Sequence, residues 1–134
     1  MKELLKVMKA ASDIGRIKIL KMLEKRVMCV CEIHTVLGIA QSTASKHLKI
    51  LEEAGLVRSY KDGLWVNFTL ANTSDISDRQ FNPYASNLLA NLKNWLNEDI
   101  NIIELIEKLP DVQREVICGR ETSCKQETNC GKQG

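Results

Sequence analysis

Cys29 and Cys31 stand one residue apart, and ten residues after Cys31 comes the run Gln41-Ser42-Thr43-Ala44-Ser45-Lys46-His47-Leu48. Thiolates are ligands for soft ions such as Zn(II), Cd(II) and Cu(I). The second run has a different chemistry. Its amide, hydroxyl and ammonium groups can read base edges and reach phosphates. Gln41 and Ser45 are the candidates for base contacts, and Thr43 and Lys46 suit phosphate. His47 is read either as a backbone contact or as a packing residue, and Ser42 as the residue that caps this helix. A soft-ion trap just upstream of a nucleic-acid reader predicts a switch.

The pair needs further donors. His34 lies three residues beyond Cys31, and Cys118, Cys124 and Cys130 follow at intervals of six near the C-terminus. Imidazole suits Zn(II) or Cd(II). Cys118 is the first choice for a third sulfur, because it lies nearest the last predicted helix and closing that loop costs least entropy. On an ideal helix Cys29 and Cys31 would diverge by about 200°. Either they occupy an irregular lead-in to a helix, or ligation distorts its first turn.

The elements that must position these groups follow from periodicity. Leu4, Leu5, Val7, Met8 and Ala11 recur at helical spacing. Asp13 is placed to cap a second helix carrying Ile17, Leu20 and Leu23. A short third helix is predicted from Glu32 to Leu37, ended by Gly38, and a fourth follows from Ser42 with Gly55 beyond its end. Helix, glycine turn, helix is the pattern of a helix-turn-helix. Leu56 to Tyr60 and Leu64 to Leu70 alternate around Asp62-Gly63, which predicts a tight hairpin. Arg58 and Lys61 on that hairpin are candidate phosphate contacts. Residues 71–78 read as a linker. Asn82-Pro83 opens a terminal helix with Leu88, Leu89, Leu92, Trp95, Leu96, Ile103 and Ile106, broken near Asn97-Glu98-Asp99 and ended by Pro110. Its apolar surface predicts a homodimer, which suits a palindromic site on double-stranded operator DNA. The expected fold is mainly α with a β-hairpin wing, a dimeric winged helix-turn-helix. Residues 1–110 form the DNA-binding and dimerisation domain, and residues 111–134 a polar, cysteine-containing tail.

Composition narrows the function classes. The chain has 134 residues, 44% hydrophobic and 27% charged, which suits one modest core. No apolar run approaches the roughly 20 residues of a membrane span. The opening Met1-Lys2-Glu3-Leu4 lacks the pattern of a secretory leader, so the expected compartment is the cytoplasm. Five cysteines in a reducing compartment point to metal or redox chemistry. Residues 1–70 hold 12 lysines and arginines against 7 acidic residues, whereas residues 71–134 hold 7 against 10. A basic first half fits a nucleic-acid partner. An enzyme is not expected: there is no CxxC on a βαβ pattern, no glycine-rich phosphate loop and no Cys–His–acid set.

The segment from Ala40 to Val57 resembles the recognition region of the ArsR/SmtB family of metal-responsive repressors. The wing Asp62-Gly63-Leu64-Trp65-Val66-Asn67-Phe68-Thr69-Leu70 and the opening Ala10-Ala11-Ser12-Asp13-Ile14-Gly15-Arg16-Ile17 are similar too, although Ile14-Gly15 departs from the Pro-Thr often found there. Cys29-Val30-Cys31-Glu32 resembles the arsenite- and antimonite-sensing branch. The resemblance implies a homodimeric repressor that leaves its operator when As(III) or Sb(III) binds a trigonal set of sulfurs. His34 stands where that branch often has a cysteine, so the third sulfur would have to come from elsewhere in the chain. Cd(II), Pb(II) and Zn(II) remain open as inducers. So does a thiol-redox response, in which Cys29 or Cys31 would oxidise with a tail cysteine. Zinc sensors of the family carry histidines on the last helix, and this chain has none after His47.

Overall fold

The computed structural model describes residues 1–71 and 82–113. The expected linker, Ala71 apart, lies outside these residues, as do Cys118, Cys124 and Cys130. The described elements are helices α1 (Lys2–Ala10), α2 (Ile14–Leu23), α3 (Val30–Leu37), α4 (Gln41–Glu53), α5 (Pro83–Leu92) and α6 (Ile100–Lys108), with strands β1 (Met28–Cys29), β2 (Val57–Asp62) and β3 (Trp65–Leu70). A 3-10 turn, Leu109–Asp111, follows α6. No described helix is long and apolar enough to cross a membrane.

Local chemistry sets most of the boundaries. Asp13 caps α2 by accepting from the Arg16 amide at 3.2 Å. Asn82 caps α5 with bonds from the Tyr84 and Ala85 amides, and Pro83 takes the first helical position. The Asn82 amide nitrogen also donates to Ala54 O, fastening α5 to the end of α4. Gly38 ends α3 in the left-handed region at φ 69°. Ile19, Leu20 and Met22 from α2, Met28 from β1, Ile33 from α3, and Leu48, Leu51 and Leu56 around α4 make a fully buried centre.

Four expectations shift. The third helix begins at Val30, two residues earlier than the periodicity suggested, because a cap forms at Cys29. The fourth begins at Gln41 with Ala40 in the cap position, so Ser42 is not the cap. Ala40 O accepts from the Thr43 and Ala44 amides, so the helix closes through its backbone two residues earlier. The hairpin turn is Gly63-Leu64 rather than Asp62-Gly63. Asp62 pairs with Trp65 inside the ladder, and Gly63 takes φ 65°. Finally, β1 adds a third strand beside the wing, pairing Met28 with Phe68 and Cys29 with Asn67.

The break in the terminal helical segment is confirmed, and a buried cation holds it. Lys21 on α2 is 1% exposed. Its Nζ donates to Leu92 O, Trp95 O and Asn97 Oδ1, each at 2.9 Å, and pairs with Glu24 at 2.9 Å. The unsatisfied carbonyls at the end of α5 thus receive a positive charge. Leu96, at φ 64°, turns the chain toward α6. Lys21→Met should destabilise the fold by about 3 kcal/mol or more, since Glu24 and two carbonyls would lose their buried partner. Urea unfolding checks this, and an unchanged midpoint would show that Lys21 is dispensable.

Candidate DNA-binding face and thiol pair

The helix-turn-helix is α3, the turn at Gly38-Ile39-Ala40, and α4. The Gly38 and Ile39 amides donate to His34 O at 2.9 and 3.1 Å. The ring Nδ1 of His34 lies 3.2 Å from Ile39 O, so this side chain braces the turn. The turn gives α3 and α4 a fixed relation, and the two helices pack together.

On α4, Ala44, Leu48 and Leu51 face the core. Ser42, Thr43 and Lys46 are exposed, and Gln41 and Ser45 are half-buried. The helix therefore divides as an amphipathic element should, with its polar side turned to solvent at its N-terminal half. His47 takes a different place. Its Nδ1 lies 3.3 Å from Arg16 Nη1, and its Nε2 lies 3.8 Å from Asp13 Oδ2. It joins α4 to the capped start of α2. Burial pushes the Asp13 carboxyl up, but the Arg16 amide bond and the charges of Arg16 and His47 outweigh it and hold Asp13 below its ordinary value.

The wing brings Lys61 close to its tip, exposed and paired in register with Val66. Arg58 sits at the base opposite Thr69 and lines a cavity with Leu70, Leu89 and Lys93, toward α5. Lys61 and Arg58 therefore belong to different regions of the hairpin. Tyr60 and Leu64, also exposed on the wing, did not stand out in the sequence. Only the ladder register shows which wing residues lie near the turn.

The thiols lie in the backbone arrangement that spacing alone could not choose. Cys29 is extended, at φ −93° and ψ 169°; it ends β1 and caps α3. Cys31 is the second residue of α3. Lead-in and first turn each hold one sulfur. Both residues are buried, at 0% and 4% exposure. Cys29 keeps its thiol, whereas Cys31 is disulfide-bonded. A capping box surrounds Cys29: its sulfur faces the Glu32 amide, and Glu32 Oε1 accepts from the Cys29 amide at 2.9 Å. Glu32 Oε2 pairs with Arg26 Nη1 at 2.9 Å. Periodicity does not reveal this acid–base pair, although Glu32 three residues after a cap position is the signal that could have found it.

With Cys31 reduced to its thiol, the donor set fits a soft ion in chemistry but falls short in number. Two buried sulfurs flank the start of one helix, and among the described residues no group of three Cys, His, Asp or Glu side chains gathers. His34 thus does not complete the pair there.

Residues 13–59, spanning α2 to the first wing strand, match the model of the bacterial regulatory protein, arsR family. An arsenical resistance operon repressor from Staphylococcus aureus is 35% identical over 77 residues, covering 56% of this chain and 74% of that protein. A cadmium resistance transcriptional regulatory protein CadC homolog from the same species is 36% identical over 66 residues, 48% of this chain and 54% of that protein. This chain thus aligns with only about half of that relative's length. Among solved structures, the homodimeric winged helix-turn-helix DNA-binding domain of a possible ArsR-family transcriptional regulator from Mycobacterium bovis is 25% identical. It superimposes with a TM-score of 0.58, covering 74% of this chain and 82% of that one. With its architecture, its recognition segment and these relatives in agreement, the chain belongs to the ArsR family of transcriptional regulators.

Proposed function

We propose that this protein is a homodimeric repressor that binds operator DNA through α4 and the wing, and releases it when cysteine thiolates capture arsenite or antimonite. The observation that carries this reading is the position of the sulfurs. Cys29 is the cap of α3, Cys31 lies in its first turn, and α3 packs against α4. A ligand drawing the two sulfurs together must rework the start of the helix that supports the reading helix. Release follows only if the ligand binds the DNA-free conformation more tightly than the DNA-bound one. The third sulfur in this proposal is Cys118, with Cys124 and Cys130 as the other candidates.

On DNA, Gln41 and Ser45 read bases while Ser42, Thr43, Lys46, Lys61 and Arg58 hold the backbone. His47 stays with Asp13 and Arg16 and steadies α4. The partner protomer covers the exposed apolar side chains of α1 and the terminal helices, among them Leu5, Met8, Trp95, Ile100 and Ile103. The homodimeric relative supports a two-fold assembly.

A second reading has its own support. The disulfide at Cys31 favours a thiol-redox repressor, in which oxidation takes the place of ligation. The cadmium-resistance relative keeps Cd(II) and Pb(II) among the candidate inducers.

The test is an operator mobility shift with reduced protein, comparing arsenite, antimonite, cadmium, lead, zinc and peroxide. Metalloid-selective release is expected. Release by peroxide alone would transfer the role to redox chemistry, and release by cadmium or lead alone would change the inducer. In the same assay Cys29→Ser should bind operator within about threefold of the parent, because serine is a good helix cap. It should nevertheless ignore arsenite; normal induction of this variant would remove Cys29 from the sensor.

The two classes of DNA contact separate by salt. Gln41→Ala should cost about 1–3 kcal/mol and relax preference at one base position. Lys46→Ala should weaken every sequence alike and lower the salt slope by about 1. Fluorescence anisotropy at several salt concentrations checks both. Equal losses on operator and random DNA for Gln41→Ala would exclude it as a reader.

A further inference from the structure

Arg26 lies in the turn between α2 and β1, outside the helix-turn-helix, yet its guanidinium meets two distant segments. Nη1 donates to Glu32 Oε2 at 2.9 Å. Nη2 donates to Leu109 O at 3.0 Å and to Val112 O. The other oxygen of Glu32 accepts from the Cys29 amide at 2.9 Å. One carboxylate thus shares its two oxygens between the thiol-bearing cap and Arg26, and Arg26 shares its two terminal nitrogens between that carboxylate and the end of the 3-10 turn. The Glu32 side chain is 6% exposed, and that of Arg26 31%. Charge-assisted bonds at this depth hold geometry better than exposed ones. Leu109 O also accepts from the Val112 amide at 3.2 Å, and Arg26 adds a charged donor to it and to Val112 O beyond the helix end.

We propose that Arg26 is a positioning residue that couples the Cys29 cap to the docking of residues 109–112, so that a change at either end is felt at the other. The coupling deepens the sensor reading, on which its biological meaning rests. The chain beyond Val112 leads toward Cys118, so the relay joins the cap thiol to the point from which the tail cysteines start. When ligation or oxidation disturbs Cys29, Glu32 Oε1 loses its amide partner, the carboxylate shifts, and Arg26 loosens its hold on Leu109 and Val112. Two-way linkage requires the converse: undocking residues 109–112 must expose or free the Cys29 sulfur. A planar fork is needed for this. A lysine ammonium at position 26 keeps the charge but cannot serve Glu32 and both carbonyls in that fixed geometry.

The test is a double-mutant cycle on the reduced full chain without any inducer. It uses Cys29→Ala, Arg26→Lys and the pair, read by hydrogen exchange of a peptide spanning residues 105–112. Cys29→Ala alone should speed exchange there roughly fivefold or more, and the same change in the Arg26→Lys background should add little, as expected for residues in one network. A second arm reads the other direction. Arg26→Lys and Glu32→Gln should each speed the reaction of the Cys29 thiol with a disulfide reagent, measured in a background with Cys31, Cys118, Cys124 and Cys130 changed to serine, with the circular dichroism of the folded protein retained. Additive effects on exchange, or unchanged Cys29 reactivity in both variants, would overturn the coupling. Arsenite applied to the parent separates the two claims. Failure of arsenite to release operator sinks the sensor reading, while the cycle still decides on the relay.

Discussion

The cap of α3 is the constraint on which the rest of the molecule turns. An eight-residue helix has too few backbone bonds to stand alone. It persists because Val30, Ile33 and Val36 are buried and because its first amides find partners. Serine or threonine usually fills this role, and here cysteine does. Sulfur is a weak acceptor, so Glu32 carries more of the cap than a capping-box glutamate normally must. The helix that supports the recognition helix is therefore held at its start by a weak acceptor with a strong affinity for soft ions. In the proposed switch, a firmer cap on α3 would answer such ions less readily.

How the disturbance travels depends on what surrounds α4. On one side the Gly38 turn links it rigidly to α3, braced by His34 against Ile39 O. On the other, His47 reaches Asp13 and Arg16 at the start of α2. Gly15 makes that approach possible. A Cβ there would lie 3.1 Å from both Asp13 Oδ2 and His47 Nε2, closer than ordinary packing allows. The missing side chain at Gly15 thus leaves the space that the His47 ring uses. In the proposed switch α4 has one anchored side and one movable side, so a shift of α3 becomes a tilt of α4 rather than a translation. Two such helices must meet grooves about 34 Å apart, and a small tilt in each protomer is enough to spoil the match.

Legibility in the sequence followed the range of the interactions. The caps at Asp13 and Asn82, the stop at Gly38, the buried face of α4 and the break after α5 are set by residues within a turn or two, and pattern reading found them. Ser42 misled because its type suits a cap, whereas the backbone turn after Gly38 closes the helix through Ala40 O. The hairpin residues misled by one place because Asp62 still pairs with Trp65. β1 is two residues long and has no period to detect. Lys21 and Arg26 were invisible for another reason. Their acceptors in the terminal segment lie 71 to 86 residues away along the chain, and a lysine or arginine in sequence looks like solvated surface. Of the proposed site, the position of the fourth helix and the nearness of the two cysteines to it were evident from residue types. The cap that Cys29 forms was not.

In the proposed switch, the two long-range cations give the terminal helices a part beyond assembly. Lys21 fixes the end of α5 and the turn into α6 from α2, and Arg26 fixes the end of α6 from the segment just after α2. Both therefore tie the terminal helices to the three residues on either side of the α2 terminus, immediately before the thiols. Because α2 also receives His47 at its other end, one helix contacts the recognition helix, the terminal helices and, through Arg26, the Cys29 cap. If the proposed dimer forms through the terminal helices, the spacing of its two reading heads is set through α2. Disturbance at the cap would then act both on the orientation of α4 within a protomer and on the frame that holds the two protomers apart.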